Sequence, residues 1–480
     1  MTVIPFPAYE PDASPFNIRS APYIINALPV RDGWGPCPQL KAQTAALASA
    51  PKGGASILQA NGSYDTFVGT TTHLYRLANG GTTWEDYSDS VTFAVPDGDF
   101  WSFHNFGTTP LVTNVTDGLL ERSGSVFTAV AGSPPNAKFV NSVGDFVLLM
   151  NLDGLPSTLQ WSGIGDRTNW VIGENLGDRQ TFADGGAICG AVSSEFGAYI
   201  LQSKKIRRML VTPDSEYAFR FEVANPTRGC VAPMSIVEAG STFFYLDEDG
   251  FYRGPEGASI SADRVNAAFF EDLDEALIYT VQGANDPLNK RVWWRYPKSS
   301  GGHAILVYDW HLDRWAKIDA NVEFIFGVTS AGFTIDDLDS LSSSIDGIPY
   351  PVDSRIYLGG LPLFAGIDTD YKFGYFGGVA YEATLRTAEI GLNGEDRRGF
   401  VNGFHIKTDA PGAVSARVGT MDTFDDDVTW STAREREAST GMVPCRADGR
   451  LHQFEVVIPE GTNWTHAHSV KTINVGRGRR

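Results

Sequence analysis

Short β-type runs broken by turn residues recur along most of this chain of 480 residues. In the first unit, Asp65–Leu77 and Thr82–Tyr87 are rich in aromatic and β-branched residues, and Asn79-Gly80-Gly81 separates them. Such residues favour strands, and Asn-Gly pairs favour tight turns between strands. Similar units begin at Pro110, Phe146, Ala198, Phe243, Arg291 and Arg355, each 36 to 64 residues after the one before.

The spacing of these units limits the fold. A period of roughly 40–50 residues with about four short strands is typical of β-propeller blades. The sequence therefore predicts an all-β fold with a β-propeller-like body of about six to seven blades. Because the repeat is irregular and has no strict signature, a β-sandwich is the alternative for this region. Only Ala262–Leu277 has clear helical periodicity, which predicts one short helix.

Prolines dominate the first forty residues. Each proline removes a backbone donor and fixes φ, so the pattern excludes a helix and predicts an extended arm. Apolar side chains between the prolines need a surface, so we expect the arm to lie over the rest of the fold or over a neighbouring subunit. The prolines are Pro5, Pro7, Pro11, Pro15, Pro22, Pro29, Pro36 and Pro38, and the apolar residues are Phe6, Tyr9, Phe16, Tyr23, Ile24 and Ile25.

Alternation of apolar and polar residues resumes after Tyr381 and predicts paired antiparallel strands with polar outer faces. We therefore predict three regions. Residues 1–54 form a Pro-rich extended arm, residues 55–378 a β-propeller-like domain, and residues 379–480 a C-terminal β-sandwich-like domain. The acidic stretch 333–352 is expected to be a long loop or a boundary.

Composition excludes several classes of protein. A hydrophobic share of 42% is enough for a packed core and excludes general disorder. No run approaches the roughly 20 apolar residues of a membrane span, and the first residues lack the pattern of a secretory signal. The four cysteines contain no Cys-x-x-Cys pair, which argues against a disulfide scaffold or a zinc ribbon. We expect a chain made and kept in a reducing compartment.

The chain is strongly acidic, with 38 Lys and Arg against 57 Asp and Glu and a net charge of −19. Such a chain is a poor candidate for gripping DNA phosphates, which requires clustered cations. The basic cluster Lys204, Lys205, Arg207 and Arg208 differs from this background. It is a candidate contact for DNA phosphates in a channel or for an acidic neighbouring subunit. The alternative is the solvated tip of a hairpin.

Residue patterns for catalysis or metal binding are weak. Residues 79–84 approximate the Asp-box of sialidase-type propellers, which is a turn device wherever it occurs. Residues 247–250 lack the spacing of a calcium loop and favour a hairpin turn. Residues 425–427 favour solvated charge, and the pair His466 and His468 lacks a third ligand nearby. The sequence predicts neither an enzyme nor a bound cofactor.

Several residue strings occur in an order that resembles one family. The set as a whole, and no single string, resembles the tail nozzle or hub proteins of short-tailed bacteriophages, also called packaged-DNA stabilisation proteins. The resemblance spans most of the chain, including the Pro-rich arm. The strings are Gly132–Lys138, Val143–Val147, Gln160–Gly163, Thr168–Trp170, Gly229–Pro233, Phe243–Tyr252, Asn285–Pro287, Val292–Trp294, Leu306–Trp315 and Ser439–Arg450.

This resemblance implies a structural virion protein, made in the bacterial cytoplasm and located in the tail. It implies a homo-oligomeric ring, sixfold by family, that docks on adaptor, portal or tail-tube proteins, with tail spikes or fibres as further partners. Double-stranded DNA passes through the ring without sequence-specific binding and is retained until ejection. The family supplies no catalytic residues. If acidic side chains line the ring, repulsion keeps the DNA centred.

Two other functions fit a propeller. A carbohydrate-binding or glycan-cleaving propeller of a virion tail predicts a cleft with paired carboxylates or exposed aromatic residues at the blade tips. A cellular propeller used as an interaction scaffold is the third possibility.

Overall fold

The computed structural model describes residues 2–14, 17–78, 81–88, 91–212, 217–330, 357–394, 397–424 and 426–476, together with 342, 344, 347, 348 and 354. Most of the predicted acidic loop 333–352 and the basic tip Arg477–Arg480 lie outside these residues. The fold is all-β and propeller-like, as predicted, with an arm and a second β domain.

The N-terminal arm is extended and forms seven short strands. These strands are β1 (Val3–Pro5), β2 (Ala8–Tyr9), β3 (Ser20–Ala21), β4 (Ile24–Ile25), β5 (Ala27–Val30), β6 (Gly33–Pro36) and β7 (Pro38–Ala42). Strands β2 and β3 form a sheet of their own, and the other five join sheets built from later parts of the chain. The arm therefore lies over its own fold.

Seven blades of four antiparallel strands, blades 1 to 7, make up the propeller in the described residues; six are separate sheets, and the strands of blade 6 belong to a larger sheet. Blade 1 consists of β8 (Pro51–Leu58), β9 (Tyr64–Thr70), β10 (Leu74–Leu77) and β11 (Trp84–Asp86), and blade 2 of β12 (Ser102–Phe106), β13 (Thr109–Asn114), β14 (Gly118–Ser123) and β15 (Val126–Ala129). Blade 3 consists of β16 (Ala137–Val143), β17 (Phe146–Leu152), β18 (Leu155–Trp161) and β19 (Asp178–Thr181). Blade 4 consists of β20 (Ile188–Ser194), β21 (Gly197–Gln202), β22 (Ile206–Val211) and β23 (Phe219–Asn225).

Blade 7 differs from the other six because its outermost strand comes from the arm. Blade 5 consists of β24 (Val237–Ala239), β25 (Thr242–Asp247), β26 (Gly250–Arg253) and β27 (Ala258–Ser259). Blade 6 consists of β28 (Gln282–Asp286), β29 (Arg291–Pro297), β30 (His303–Asp309) and β31 (Arg314–Ile318). Blade 7 consists of β32 (Val322–Thr329), β33 (Pro362–Asp368), β34 (Phe373–Ala380) and β7. Strand β7 pairs antiparallel with β34, Leu40 opposite Phe376. The innermost strands β32 and β8 are neighbours, so the first and last blades meet and the ring of blades is closed.

The second strand of a blade is buried on both faces because each blade lies between two others. Strand β17 is typical, with six of its seven residues buried. Aromatic side chains fill the space between blades: Trp101 packs between blades 1 and 2, and its indole N–H donates to the Thr70 carbonyl at 2.7 Å. Gly69 makes room for this indole, since a Cβ there would lie 2.2 Å from Cδ1 of Trp101.

The predicted helix over 262–277 forms in two pieces. An α-helix, α1, covers Asn266–Asp272, and a 3₁₀ helix covers Glu275–Thr280; a further 3₁₀ turn covers Pro233–Ser235. The carboxylate of Asp12, in the arm, accepts the free N–H groups of Ala267 and Ala268 at 2.7 and 2.9 Å. The arm therefore caps this helix.

Two sheets form the C-terminal β domain, and both contain arm strands. Its strands are β35 (Ala383–Arg386), β36 (Gly399–Thr408), β37 (Ser415–Met421), β38 (Thr429–Trp430), β39 (Arg434–Glu435), β40 (Met442–Gly449), β41 (Leu451–Ile458) and β42 (Ala467–Gly476). One sheet has the order β40-β36-β42-β6-β5, with β1 on β42. The other runs β38-β37-β41-β35-β4 and continues into β31 of blade 6.

Strand β4 is the joint between the two domains. Ile25 pairs in parallel with Lys317 of blade 6 and antiparallel with Thr384 of the C-terminal domain. The propeller and the C-terminal domain therefore share one ten-stranded sheet.

Candidate interaction surfaces

Seven inner strands surround the axis of the propeller, and hydrogen bonds in which a side chain takes part link each strand to the next. We call this set the channel belt. Blades 7 and 1 are linked by Thr329 N–H to Ser56 Oγ (3.1 Å), blades 1 and 2 by Asn105 Nδ2 to Leu58 O (2.9 Å), and blades 2 and 3 by His104 Nε2 with Ser142 Oγ (2.7 Å). Blades 3 and 4 are linked by Asn141 Nδ2 to Ala191 O (2.8 Å), and blades 4 and 5 by Ser193 N–H to Glu238 Oε1 (3.3 Å). Blades 5 and 6 are linked by Asn285 Nδ2 to Glu238 O (2.9 Å), and blades 6 and 7 by Gln282 Nε2 to Ile325 O (2.6 Å).

The inner strands carry little net charge. Their charged residues are two lysines, Lys52 and Lys138, and three acids, Glu238, Asp286 and Glu323. Both lysines are held by carboxylates of the segment between blades 1 and 2. The acidity of the chain is therefore not concentrated on these strands, and the acidic wall expected around DNA cannot be formed by them.

Two titratable groups of the channel belt have shifted pKa values. Burial lowers the pKa of His104 to about 4, so the imidazole is neutral near pH 7. Burial raises the pKa of the Glu238 carboxyl, and the N–H of Ser193 opposes this only in part. Both shifts favour the neutral form of the side chain.

The four basic residues of the predicted contact lie on the hairpin between β21 and β22. Lys204 is exposed at the turn. The ammonium of Lys205 pairs with Asp184 at 2.7 Å, and this hydrogen bond lowers the pKa of the Asp184 carboxyl. Lys204 is accessible to a partner, whereas Lys205 is half-buried and already paired. A contact with DNA or a neighbouring subunit stays a prediction.

The two arginines of the same cluster have different surroundings. Arg207 is buried: its Nε donates to Gln202 Oε1 at 2.8 Å, its guanidinium lies 4.6 Å from the ring centre of Phe182, and it also pairs with Asp184. Arg208 points to the other face of the strand, where it lines a cavity between blades 4 and 5. The sequence grouped four cations that the fold separates into three environments.

We call the cavity between blades 4 and 5 the blade 4–5 cleft; its volume is about 840 Å³. Blade 4 contributes Tyr199 and Arg208, and blade 5 contributes Glu238, Phe243 and Arg253. The rings of Tyr199 and Phe243 meet across it, with their centres 5.7 Å apart. The exposed side chain of Phe196 lies at its rim. Sequence reasoning missed this cleft because its residues come from two blades.

The weak sequence candidates have structural explanations where they are described. Residues 247–250 form the turn between β25 and β26, and Arg228 Nη1 holds the Asp249 carboxylate at 2.8 Å. His466 lies 3.6 Å from Asp409, beside exposed His468. Asn79, Gly80 and Asp425 lie outside the described residues. Among the residues that are described, no three His, Cys, Asp or Glu side chains form a cluster suited to a metal ion.

The fold and its surfaces define a seven-bladed propeller joined to a β-sandwich-like domain. No protein-family model matches the chain, and no curated protein is similar enough in sequence to count as a match. No helix in the described part of the chain is long and apolar enough to cross a membrane.

Solved structures of propellers show a distant likeness. YCF48 from Cyanidioschyzon merolae is 12% identical, with 73% of this chain and 96% of that chain covered, at a TM-score of 0.36. The Neurospora crassa Pan2 WD40 domain is 9% identical, with 62% and 90% covered, at 0.34. A chain of the mitotic checkpoint complex is 9% identical, with 70% and 98% covered, at 0.37. Scores this low carry no argument about function.

Proposed function

We propose that this chain is a tail nozzle or hub protein of a short-tailed bacteriophage. In this role it assembles with copies of itself into a ring that retains packaged DNA and opens for ejection. The observation that carries the proposal is the ordered set of residue strings, which extends from the arm to Ser439–Arg450. The proposed mechanism is a gate, without bond making.

The closed construction of the chain supports this role. Strand β7 closes blade 7, and β4 joins blade 6 to the C-terminal domain. A ring that retains packaged DNA needs subunits whose blades and domains do not separate. The arm strands are paired with sheets from later parts of the chain, and this pairing resists such separation. The arm is used within the subunit, so the ring contacts of this proposal come from other surfaces.

The size of the propeller channel determines where DNA would pass. Facing sheets lie roughly 10 Å apart, so seven inner strands enclose a backbone ring roughly 12 Å in radius. Side chains of the channel belt occupy part of this space. A duplex therefore does not fit inside one propeller, and in the proposed ring it passes along the shared axis between subunits. Any acidic wall lies on the surface that faces that axis.

Cryo-electron microscopy of the virion that encodes this chain tests the proposal, with symmetry around the tail first imposed and then released. We expect this fold as a ring at the distal end of the tail, narrowing the channel. Absence of the chain from the tail, or its presence only in peripheral spikes, would overturn the proposal.

The lysines at the turn between β21 and β22 provide a second test. If Lys204 and Lys205 contact an acidic surface of the next subunit, the double change Lys204→Glu and Lys205→Glu should lower ring occupancy in assembled tails. Arg179→Glu is the matched control, because Arg179 is exposed on the outer strand of blade 3. If both variants are incorporated equally, the hairpin between β21 and β22 is not part of the subunit interface. The ring itself is then tested by the microscopy alone.

A further inference from the structure

Two of the four cysteines meet in the seam between blades 4 and 5. Cys189 belongs to the inner strand β20 of blade 4, and Cys230 lies 41 positions later, in the segment that leads from blade 4 to blade 5. The Cys189 thiol donates to the Cys230 carbonyl at 3.0 Å, and the Cys230 thiol donates to the Ala232 carbonyl at 3.2 Å. We call Cys189 and Cys230 the seam pair.

The two thiols of the seam pair are neighbours. Their mutual hydrogen bond, and then burial, raise the pKa of the Cys189 thiol. Both side chains pack in one apolar cluster, together with Tyr245 and Tyr252. Cys230 is fully buried, and Cys189 is 7% exposed. A disulfide draws two sulfur atoms from such a contact to a separation of about 2.05 Å.

The backbone around the seam pair is irregular, which makes this approach easier. In the pairing of β20 with β21 the register shifts between Ile188 and Gly190, so Cys189 is an extra residue without a partner in the ladder. Cys230 belongs to no strand and precedes the 3₁₀ turn Pro233–Ser235. Neither residue has to break a regular strand pair when its side chain turns.

The other two cysteines lie elsewhere in the fold. Cys37 follows β6 in the arm and donates to the Pro38 carbonyl at 3.7 Å. Cys445 lies in β40 and donates to the Val401 carbonyl at 3.8 Å. Cys445 is the only one of the four that is not fully buried. Oxidation governed by exposure alone therefore reaches Cys445 first, whereas oxidation governed by contact between thiols selects the seam pair.

The seam that the pair spans has few other links at one face of the propeller. Strand β24, the inner strand of blade 5, has three residues, whereas the other inner strands have five to eight. Above it the blade 4–5 cleft opens, and the Ser193 N–H reaches Glu238 Oε1 at 3.3 Å. A covalent bond below the cleft would hold the two blades together.

We propose that Cys189 and Cys230 form a disulfide in the folded chain when a peroxide is present, and that this bond locks the seam between blades 4 and 5. Hydrogen peroxide transfers one oxygen to the Cys189 sulfur, which becomes a sulfenic acid, and water leaves. The Cys230 sulfur then displaces the hydroxyl group as a second water, and the sulfur–sulfur bond forms. Two thiols are oxidised, and one peroxide is reduced to two waters.

The cellular history of the chain determines when the bond forms. A reducing cytoplasm keeps thiols free, and an oxidising exterior does not. A tail protein is assembled in the first and works in the second, so the lock would close after assembly. This timing rests on the proposed function, whereas the bond itself depends only on contacts within one chain.

Peptide mapping of the purified full chain tests the proposal. The folded chain is treated with hydrogen peroxide, the remaining thiols are blocked, and the chain is digested without reductant. We expect one linked peptide that contains Cys189 and Cys230 and that separates on reduction. The closed loop should raise the guanidinium midpoint by roughly 0.5 M.

Matched variants separate the seam pair from general oxidation. Cys189→Ser should abolish both the linked peptide and the rise in the midpoint, and Cys230→Ser should do the same. Cys445→Ser is the control and should keep both. Because Cys230 is fully buried, Cys189→Ser decides the question if Cys230→Ser does not fold, and the peptide map of the unchanged chain needs neither variant.

Three results would overturn the proposal. The first is a seam pair that stays reduced under peroxide that oxidises Cys445. The second is a disulfide to Cys37, to Cys445 or to another chain in place of the expected one. The third is a Cys189–Cys230 bond that leaves the midpoint unchanged or lowers it, since such a bond does not lock the seam. Each result leaves the position of the chain in the tail to the microscopy.

Discussion

The close contact between Gly69 and Trp101 shows how single residues determine blade packing. Strand β9 and the segment before β12 approach so closely that the indole lies directly over the Gly69 backbone. The Trp101 side chain is 3% exposed, and its N–H is satisfied by Thr70. Glycine is needed here for space and not for an unusual φ.

The change Gly69→Ala should therefore destabilise the propeller. Overpacking of a filled core costs about 1–3 kcal/mol, and we expect a value at the upper end because the indole is fixed by its hydrogen bond. Chemical unfolding measures the loss. Gly54→Ala, on the neighbouring strand β8, is the matched control, since its nearest contacts would be 3.3 Å, which is tight but far longer than the 2.2 Å contact at Gly69. Equal losses for the two variants would contradict this account of Gly69.

At the scale of elements, the arm strands act as parts of distant sheets. Strand β7 supplies the fourth strand of blade 7, and Gly374 of β34 lies against the Lys41 carbonyl, where a Cβ would come within 1.9 Å. Such a close backbone pair requires both strands to be in place. Blade 7 without β7 has an unprotected edge strand, which favours association with other chains.

Removal of residues 2–42 should leave β34 unprotected in hydrogen exchange and promote association. A shorter truncation, of residues 2–9, removes β1 and β2 but leaves β7, and β34 should then stay protected. Size-exclusion chromatography measures the association in both chains. Unchanged protection of β34 after the longer truncation would show that β7 does not stabilise blade 7.

At the scale of the whole molecule, three histidines link stability to pH. Burial lowers the pKa of His104 and of His303 to about 4, with help from Arg295 in the second case, and burial also lowers the pKa of His452. The unfolded chain binds these protons at about pH 6.5. The folded state excludes them, so acid favours unfolding.

The contribution of these histidines to the free energy of unfolding should therefore be fully present above about pH 6.5 and should decrease as the pH falls towards 4. Guanidinium unfolding midpoints at several pH values measure this. His104→Gln keeps a polar group near Ser142 and should reduce the slope by about one proton. The exposed His468→Gln is the control. A slope that does not change in the His104 variant would place the effect elsewhere.

The strands of the blades were predictable because their pattern is local. The units predicted at Pro110, Phe146, Ala198, Phe243 and Arg291 all fall on the second strand of a blade. These strands are buried on both faces, so they are rich in aromatic and β-branched residues. Several inner strands, such as β8, β20 and β28, carry smaller and more polar residues, so the sequence marks one strand per blade clearly and leaves these others less distinct.

The blade 4–5 cleft and the paths of the arm strands were not predictable. The cleft depends on the short strand β24 and on Tyr199 and Phe243, which meet across it and lie 44 residues apart in the sequence. The pairs of β4 and β7 join residues more than 290 positions apart. A short extended segment has backbone groups that fit any open sheet edge, so its partner is a property of the assembled sheets.

The sequence by itself determined the class of structure: an all-β propeller-like body, an extended Pro-rich arm and a further β domain. Alternation, turn residues and proline act within a few residues, and so they can be recognised along the chain. Only the tertiary structure decided that there are seven blades, that the arm closes the seventh, and which charged side chains meet in one cleft. Those features depend on contacts between distant segments, and such contacts form only when the ring of blades closes.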